Sequence, residues 1–341
     1  MSPLRLTLTL LAIVTGTLLA FANIVRWERP PMQSTQLGYR GTGMAEIENP
    51  RTAAGLAALN KVPAPQEAVA PAGTLSSAVY KNVTVLGDLD SDEFLRYMAA
   101  ITEWVSPEQG CTYCHNPENL ADDSVYTKIV ARRMIQMVRH INNDWKPHVQ
   151  ATGVTCYTCH RGHPVPQNVW YKNDGPAHAR GMSASRQGQN VATKAVGSTS
   201  LPYDPFSTLL VKDSAIRVQS ATALPASDKA SIKDTEKTYA LMMHISQSLG
   251  VNCTFCHNTR AFPDWSQSRP QRVTAWHGIK MASDLNAAYL EPLTPSFPPN
   301  RLGVSGDVAK INCATCHQGV NKPLLGVSML KDYPGLATPN P

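Results

Sequence analysis

Cys111-Thr112-Tyr113-Cys114-His115 recurs in outline three more times, as Cys156-Tyr157-Thr158-Cys159-His160, Cys253-Thr254-Phe255-Cys256-His257 and Cys313-Ala314-Thr315-Cys316-His317. Cys-x-x-Cys-His is the attachment signature of a c-type haem: two thiols add across the porphyrin vinyl groups and the adjacent imidazole ligates the iron. The four copies use all eight cysteines of the chain. A redox dithiol does not recur four times with His at its end, and a zinc site needs no His at that fixed offset. The sequence therefore predicts four covalently bound haem c groups. They attach through Cys111, Cys114, Cys156, Cys159, Cys253, Cys256, Cys313 and Cys316, with His115, His160, His257 and His317 on one side of each iron.

Composition agrees with a protein whose cofactors form part of its core. The 341 residues hold only 7% aromatics but 26 prolines and 21 glycines, so large core side chains are scarce. Each haem brings a broad apolar face in compensation. The formal charge of +6 and pI near 8.9 invite a nucleic-acid reading. No basic helix, finger or aromatic-basic platform supports it, and two propionates per haem turn +6 into −2.

Working outward, Leu6 to Val25 are twenty positions without formal charge between Arg5 and Arg26, enough to span a bilayer as a helix. Trp27 follows where an interfacial aromatic sits. A cleaved signal peptide is the competing reading, with Ala20-Phe21-Ala22 as its small-x-small site; length and flanks favour a retained anchor over residues 1–27. Either one exports the remainder, and thioether attachment suits a bacterial periplasm. Residues 28–74, with Pro30-Pro31, Gly38, Gly41, Gly43 and Pro63-Ala64-Pro65, read as an extended arm laid on a partner.

A Gly-, Ala-, Ser- and Gln-rich stretch from Asn173 to Gly197 separates two halves with two motifs each. His-to-His spacing is 45 in the first, 60 in the second and 97 between them, the pattern of a duplicated two-haem unit. The expected divisions are 75–172, a connecting segment 173–232, and 233–341. A helix precedes the first motif of each half. Ser91 is its expected N-cap in one, with Phe94, Leu95, Met98, Ile101 and Val105 as the apolar stripe. Asp234 or Thr235 caps the other, which Gly250 ends. Longer helices are expected over 124–143 and 271–290. The fold class is mainly α with long loops, built from two pseudo-repeated two-haem halves plus an N-terminal transmembrane helix.

Function turns on the far side of each iron, which is open for chemistry or filled for electron transfer, Met raising the potential. Met98 lies 17 residues before His115 and Met242 lies 15 before His257; Met134 and Met137 lie 26 and 23 before His160. For the fourth motif, spacing leaves Met281, His140, His148, His244 and His277 open. A methionine on an apolar stripe usually packs, but its repetition at matching positions before separate motifs favours ligation.

Longer stretches carry a resemblance. Gly153-Val154-Thr155 before Cys156, Arg161-Gly162 after His160, Gln167-Asn168-Val169-Trp170, Tyr239-Ala-Leu-Met-Met243, Leu249-Gly-Val-Asn-Cys-Thr-Phe-Cys-His257, His317-Gln-Gly-Val-Asn-Lys-Pro323 and Lys331-Asp-Tyr-Pro334 are similar to the tetrahaem cytochrome c subunit of purple bacterial photosynthetic reaction centres. The similarity runs from about Leu75 to Pro334. It implies Met98 opposite His115, Met134 opposite His160, Met242 opposite His257 and His148 opposite His317. It also implies that Arg272, in Pro270-Gln271-Arg272, stands beside the haem nearest the pigments, although the loop before it is one residue shorter here. Many relatives carry a lipidated N-terminal cysteine; this chain has none to spare, and the apolar helix is the expected substitute.

The resemblance implies an electron-transfer subunit rather than an enzyme, on the periplasmic face of the photosynthetic inner membrane. It would sit on reaction-centre L and M subunits, with H and antenna polypeptides in the same complex. A soluble c-type cytochrome or high-potential iron–sulfur protein would donate electrons, and the four haems would re-reduce the photo-oxidised bacteriochlorophyll pair. The alternative is a multihaem oxidoreductase acting on a small molecule, such as a nitrogen oxide, at an open haem. A stand-alone respiratory conduit is a third. Between Gly87 and Asp123 nine acids face one base, against a formal +3 over 251–341; this is the expected docking patch for a basic donor. Changing both cysteines of any one motif to alanine should remove one haem per chain, read as the pyridine haemochrome absorbance per polypeptide.

Overall fold

The computed structural model describes residues 2–25, 31–37, 44–173, 192–216, 218 and 231–340. Trp27, Gly38, Gly41, Gly43 and most of the 173–197 stretch lie outside the described residues. The described part is mainly helical, with long loops and one small hairpin.

Helix α1 (Pro3–Val25) is long and apolar enough to cross a membrane. Its 23 residues extend about 34 Å at 1.5 Å each, against a hydrocarbon layer of about 30 Å. None of its side chains is buried against the rest of the chain. The hydroxyls of Thr7, Thr9 and Thr17 donate back to the carbonyls of Pro3, Arg5 and Ile13, and Asn23 Nδ2 donates to Leu19 O, so these four side chains are satisfied without water.

Strands β1 (Gln33–Gln36) and β2 (Ala45–Glu48) pair antiparallel, Gln33 opposite Glu48, and α2 (Pro50–Leu59) follows with Asn49 as N-cap. This arm folds back along the chain itself. Ala45 O accepts from Asn252 Nδ2 and Thr254 Oγ1, both at 2.7 Å, and Glu46 Oε1 accepts from Asn252 N at 2.9 Å. Asn60, almost wholly buried, accepts from Leu324 N. Leu59 O and Lys61 O accept from Arg161 and Tyr157. Gln66 N donates to Tyr333, and Ala72 N and Gly73 N donate to the Asp90 carboxylate.

The remaining helices are α3 (Ser76–Val79), α4 (Ser91–Val105), α5 (Tyr126–Asp144), α6 (Lys146–Val149), α7 (Cys156–His160), α8 (Phe206–Leu209), α9 (Ile232–Leu249), α10 (Gln271–Asp284) and α11 (Cys313–His317). The helices expected before each motif are present, with changed caps. Asp90, not Ser91, caps α4, because its carboxylate takes the amides of Asp92, Ala72 and Gly73 together. Ser231, not Asp234 or Thr235, caps α9, through a reciprocal box with Asp234 that starts the helix three residues early. Gly250 ends α9 at φ 65° as expected; a Cβ there would strike Gly319 O. Helix α10 gives way after Asp284 to a π-helical turn over Leu285–Leu290.

Three apolar clusters surround the motifs. Tyr97, Trp104, Ile135, Val138, Tyr333 and Leu336 form the first, Trp170, Phe206, Leu210, Leu241 and Ile279 the second, and Met137, Ile141, Leu285, Leu290, Val308 and Ile311 the third. The C-terminal residues thus lie in the core of the first half. Tyr333 meets Trp104 edge-on at 4.7 Å and Tyr97 at 5.3 Å, with the Arg96 guanidinium 4.4 Å above its ring. Arg139, 1% exposed, forks onto Asp88 at 2.8 and 2.9 Å and reaches Gly335 O at 3.0 Å. Tyr333→Ala should therefore cost about 3–5 kcal/mol, read as a lowered denaturation midpoint of the haem-loaded protein by near-ultraviolet circular dichroism.

Candidate haem sites

Each motif makes one helical turn, which brings residues i, i+3 and i+4, the two cysteines and the histidine, to one face. The second and fourth are the helices α7 and α11, both opened by a capping box (Thr155 with Thr158, Asn312 with Thr315) and closed by a left-handed residue, Arg161 or Gln318. The first and third are looser 3-10 turns, Gly110–Tyr113 and Cys253–Phe255, in which His115 N and His257 N donate to Cys111 O and Cys253 O at 3.0 and 2.9 Å.

All four motif histidines have Nδ1 tied to a backbone carbonyl. His115 bonds Leu120 O at 2.9 Å and His257 bonds Phe262 O at 3.1 Å, both five residues on; His160 bonds His163 O at 2.9 Å and His317 bonds Val320 O at 3.0 Å, both three residues on. With Nδ1 carrying the proton, Nε2 is the free lone pair, as an iron ligand requires. Burial pushes the His317 imidazole down to about 4 and so holds it neutral. Burial likewise drives the Cys156 and Cys313 thiols up to about 12 and Cys256 to about 11. Such sulfurs cannot ionise, and thioether formation removes the question.

A cavity of about 630 Å³, mostly apolar, runs past Cys114, Cys156, His160, His148, His317 and Cys256. That is within the ordinary range for a cofactor site, about 300–1,000 Å³. Its apolar walls, buried sulfurs and free imidazole nitrogens fit covalent haem.

The most specific arrangement concerns His148, which stands on α6. Its Nδ1 bonds Thr274 O at 2.9 Å, and its ring centre lies 6.0 Å from that of His317, the planes at 67°. Two metal–nitrogen bonds of about 2.0 Å, plus about 1.1 Å from each nitrogen to its ring centre, span about 6 Å. The separation is thus of the size that two imidazoles on one iron require. Gly278 makes room for this: a Cβ there would sit 2.5 Å from His148 Cε1. Met281, the competing candidate, is half-buried on the same cavity.

Met134 and Met137 both line the cavity with His160 and both pack in the third cluster, Met137 the more deeply buried. Met98 and Met242 are half-buried on the faces of α4 and α9 that meet the first and second clusters. The other histidines are engaged elsewhere. His140 lies between Asp144 at 2.6 Å and Asp284 at 2.7 Å, and His244 bonds Ala195 O and Ser248. His277 stacks edge-on against Trp276.

Arg272 lies in the first turn of α10, its guanidinium 4.0 Å above Trp265 and hydrogen-bonded to Asp264 O and Ser268; its charge reaches His257. Arg269, which the sequence reading passed over, is the stronger charge on Cys256 and donates to Phe255 O. Gly278 and Arg161 were missed too. The one available signal was a glycine inside a helical pattern, directly after His277.

Most of the acids counted around the first motif have internal work. Asp88 pairs with Arg139, Glu93 with Arg96, and Asp123 with Lys128 and Arg132. Asp90 caps α4, Glu103 takes Gln66, and Asp122 closes a turn onto Ser124 and Asn116. Among the described residues, Asp92, Glu108 and Glu118 are exposed without such ties.

The family described as photosynthetic reaction centre cytochrome c subunit matches residues 28–337. The photosynthetic reaction center cytochrome c subunit of Rubrivivax gelatinosus is 53% identical over 327 residues, 96% of this chain and 89% of that protein. That of Thermochromatium tepidum is 48% identical over 336 residues, 98% of this chain and 82% of that protein. Cytochrome c-554 of Chloroflexus aurantiacus is more distant, 27% identical over 307 residues. Gly278→Ala should displace the His148 ring and abolish a bis-imidazole low-spin signature in electron paramagnetic resonance, while the other haem signals persist.

Proposed function

Since the chain belongs to the photosynthetic reaction-centre cytochrome c subunit family, we propose that it carries four covalent haems c with every iron closed on both sides. It is then an electron-transfer component donating to the reaction centre. Bound haem supplies the reversible one-electron iron couple, and the protein supplies ligands, burial and charge. Met98, Met134 and Met242 fill the sixth positions opposite His115, His160 and His257, and raise those potentials relative to His148 opposite His317. The alternating motif turns, with Nδ1 partners at five, three, five and three residues, support a duplicated two-haem unit. The 173–232 segment is then a covalent linker rather than a division into independent domains, because His148 of the first half closes the fourth iron in the second.

The arm supports an order for the centres. From α1 onward it touches Asn252 and Thr254 of the third motif. Leu56 then lies against Gly319 just past the fourth motif, followed by the contacts to Tyr157 and Arg161 of the second and to α4 before the first. The side chains of Cys159 and Cys316 meet between the second and fourth. We read the sequence from the membrane outward as third, fourth, second, first. Arg269 and Arg272 flank the membrane-side motif, where fixed positive charge disfavours the ferric state. That end faces the L and M subunits and their pigment pair, within a complex that also holds H and antenna polypeptides. Helix α1 anchors the whole to the membrane, with the haem-bearing part on the periplasmic side.

The single observation that carries a closed-iron reading is the 6.0 Å separation of His148 and His317. A soluble c-type cytochrome or high-potential iron–sulfur protein reduces the first centre. Flash excitation of membranes containing the protein should oxidise haem within the complex; absence of any flash-induced haem oxidation rejects the assignment. Carbon monoxide should leave the reduced spectrum unchanged on rapid mixing, whereas an open haem would bind it at once. With a basic cytochrome as donor, the reduction rate should fall as ionic strength rises.

A further inference from the structure

Arg161 directly follows the motif histidine His160 and adopts φ 49°, the left-handed residue that closes α7. That turn sends its side chain across to α11. Nη2 donates to Cys316 O at 3.2 Å, and Nη1 donates to Leu59 O of the arm at 3.0 Å. Nε is buried with no hydrogen-bond partner. The ionisable side chains that face the guanidinium are Cys159, Cys316 and Tyr157. Among the described residues no carboxylate pairs with it. A partly buried cation therefore stands where the cysteine side chains of the second and fourth motifs come together.

We propose that Arg161 tunes two haems at once, its charge at the junction of the two motifs raising the potentials of the second and the fourth together. This rests on the four-haem reading with His160 and His317 as ligands. Oxidation adds positive charge to a haem, and a fixed cation beside it disfavours that change, the more so the less water lies between them. The fourth haem gains most in consequence. Bis-imidazole ligation gives it none of the lift that methionine gives the others, and Arg161 reaches it through the Cys316 end of α11. Arg272 and Arg269 belong to the third motif and Arg161 to the junction of the other two, so the charges are distributed along the array.

The test is an optical redox titration of membranes containing the full-length protein, resolved into its separate haem waves. Met134→His and His148→Met mark the waves of the second and fourth haems. Arg161→Gln should move those same two waves to lower potential and leave the other two in place. Arg161→Lys, which keeps the charge but loses the fork, should lower both by less. Tyr157→Phe cuts the neighbouring tie to the arm at Lys61 O without touching the charge, and should move no wave. The proposal is overturned if Arg161→Gln moves one wave alone or none, if Arg161→Lys lowers the waves as far as Arg161→Gln does, or if Tyr157→Phe reproduces the shift. Fewer than four waves in the unaltered protein would instead count against the four-haem reading.

Discussion

An imidazole can offer Nε2 to iron only when Nδ1 holds the proton and has somewhere to put it. Among the described residues six histidines have Nδ1 on a backbone carbonyl; His244 has its Nε2 taken by Ser248, and the other five bond Leu120, His163, Phe262, Val320 and, for His148, Thr274. Much of the architecture serves those five bonds. The left-handed residues Arg161 and Gln318 turn the chain back so that a carbonyl three residues on meets the ring. The looser turns of the first and third motifs reach one five residues on. Helix α10 supplies the fifth carbonyl and, at Gly278, the space beside it.

The rest of the fold follows from having little conventional core. Three modest apolar clusters replace one large one, and the cavity they surround is apolar. Segments distant in sequence are needed to close them. Tyr333 and Leu336 complete the cluster of α4 and α5, and Trp170 N and Lys310 N exchange hydrogen bonds with each other's carbonyls at 2.9 Å to join the halves. The arm does the same along one side. Glu46 is buried in this contact with Oε2 unpartnered, and desolvation raises its pKa; the hairpin thus carries a cost that its bonds to Asn252 and Thr254 offset.

Local signals read well where the constraint was local. The motif turns, the Gly250 stop and the helices before each motif were legible because spacing and capping act within a few residues. Caps were misjudged where a long-range partner intervened: Asp90 outcompetes Ser91 because it also serves the arm at Ala72 and Gly73. Nor could the acidic stretch be divided into paired and exposed carboxylates from sequence, since Arg139, Lys128 and Arg132 arrive from α5 to take Asp88 and Asp123.

The sequence by itself determined the four Cys-x-x-Cys-His turns, the haem c class of cofactor and an apolar helix long enough to cross a membrane, because each depends on residues adjacent in the chain. Only the tertiary structure decided that His148 faces His317, that Arg161 bridges two motifs and that the arm touches the third, fourth, second and first in turn. Those relations join residues as far apart as Leu56 and Gly319, 263 positions. No periodicity encodes such a pairing; packing distant segments around shared apolar clusters creates it.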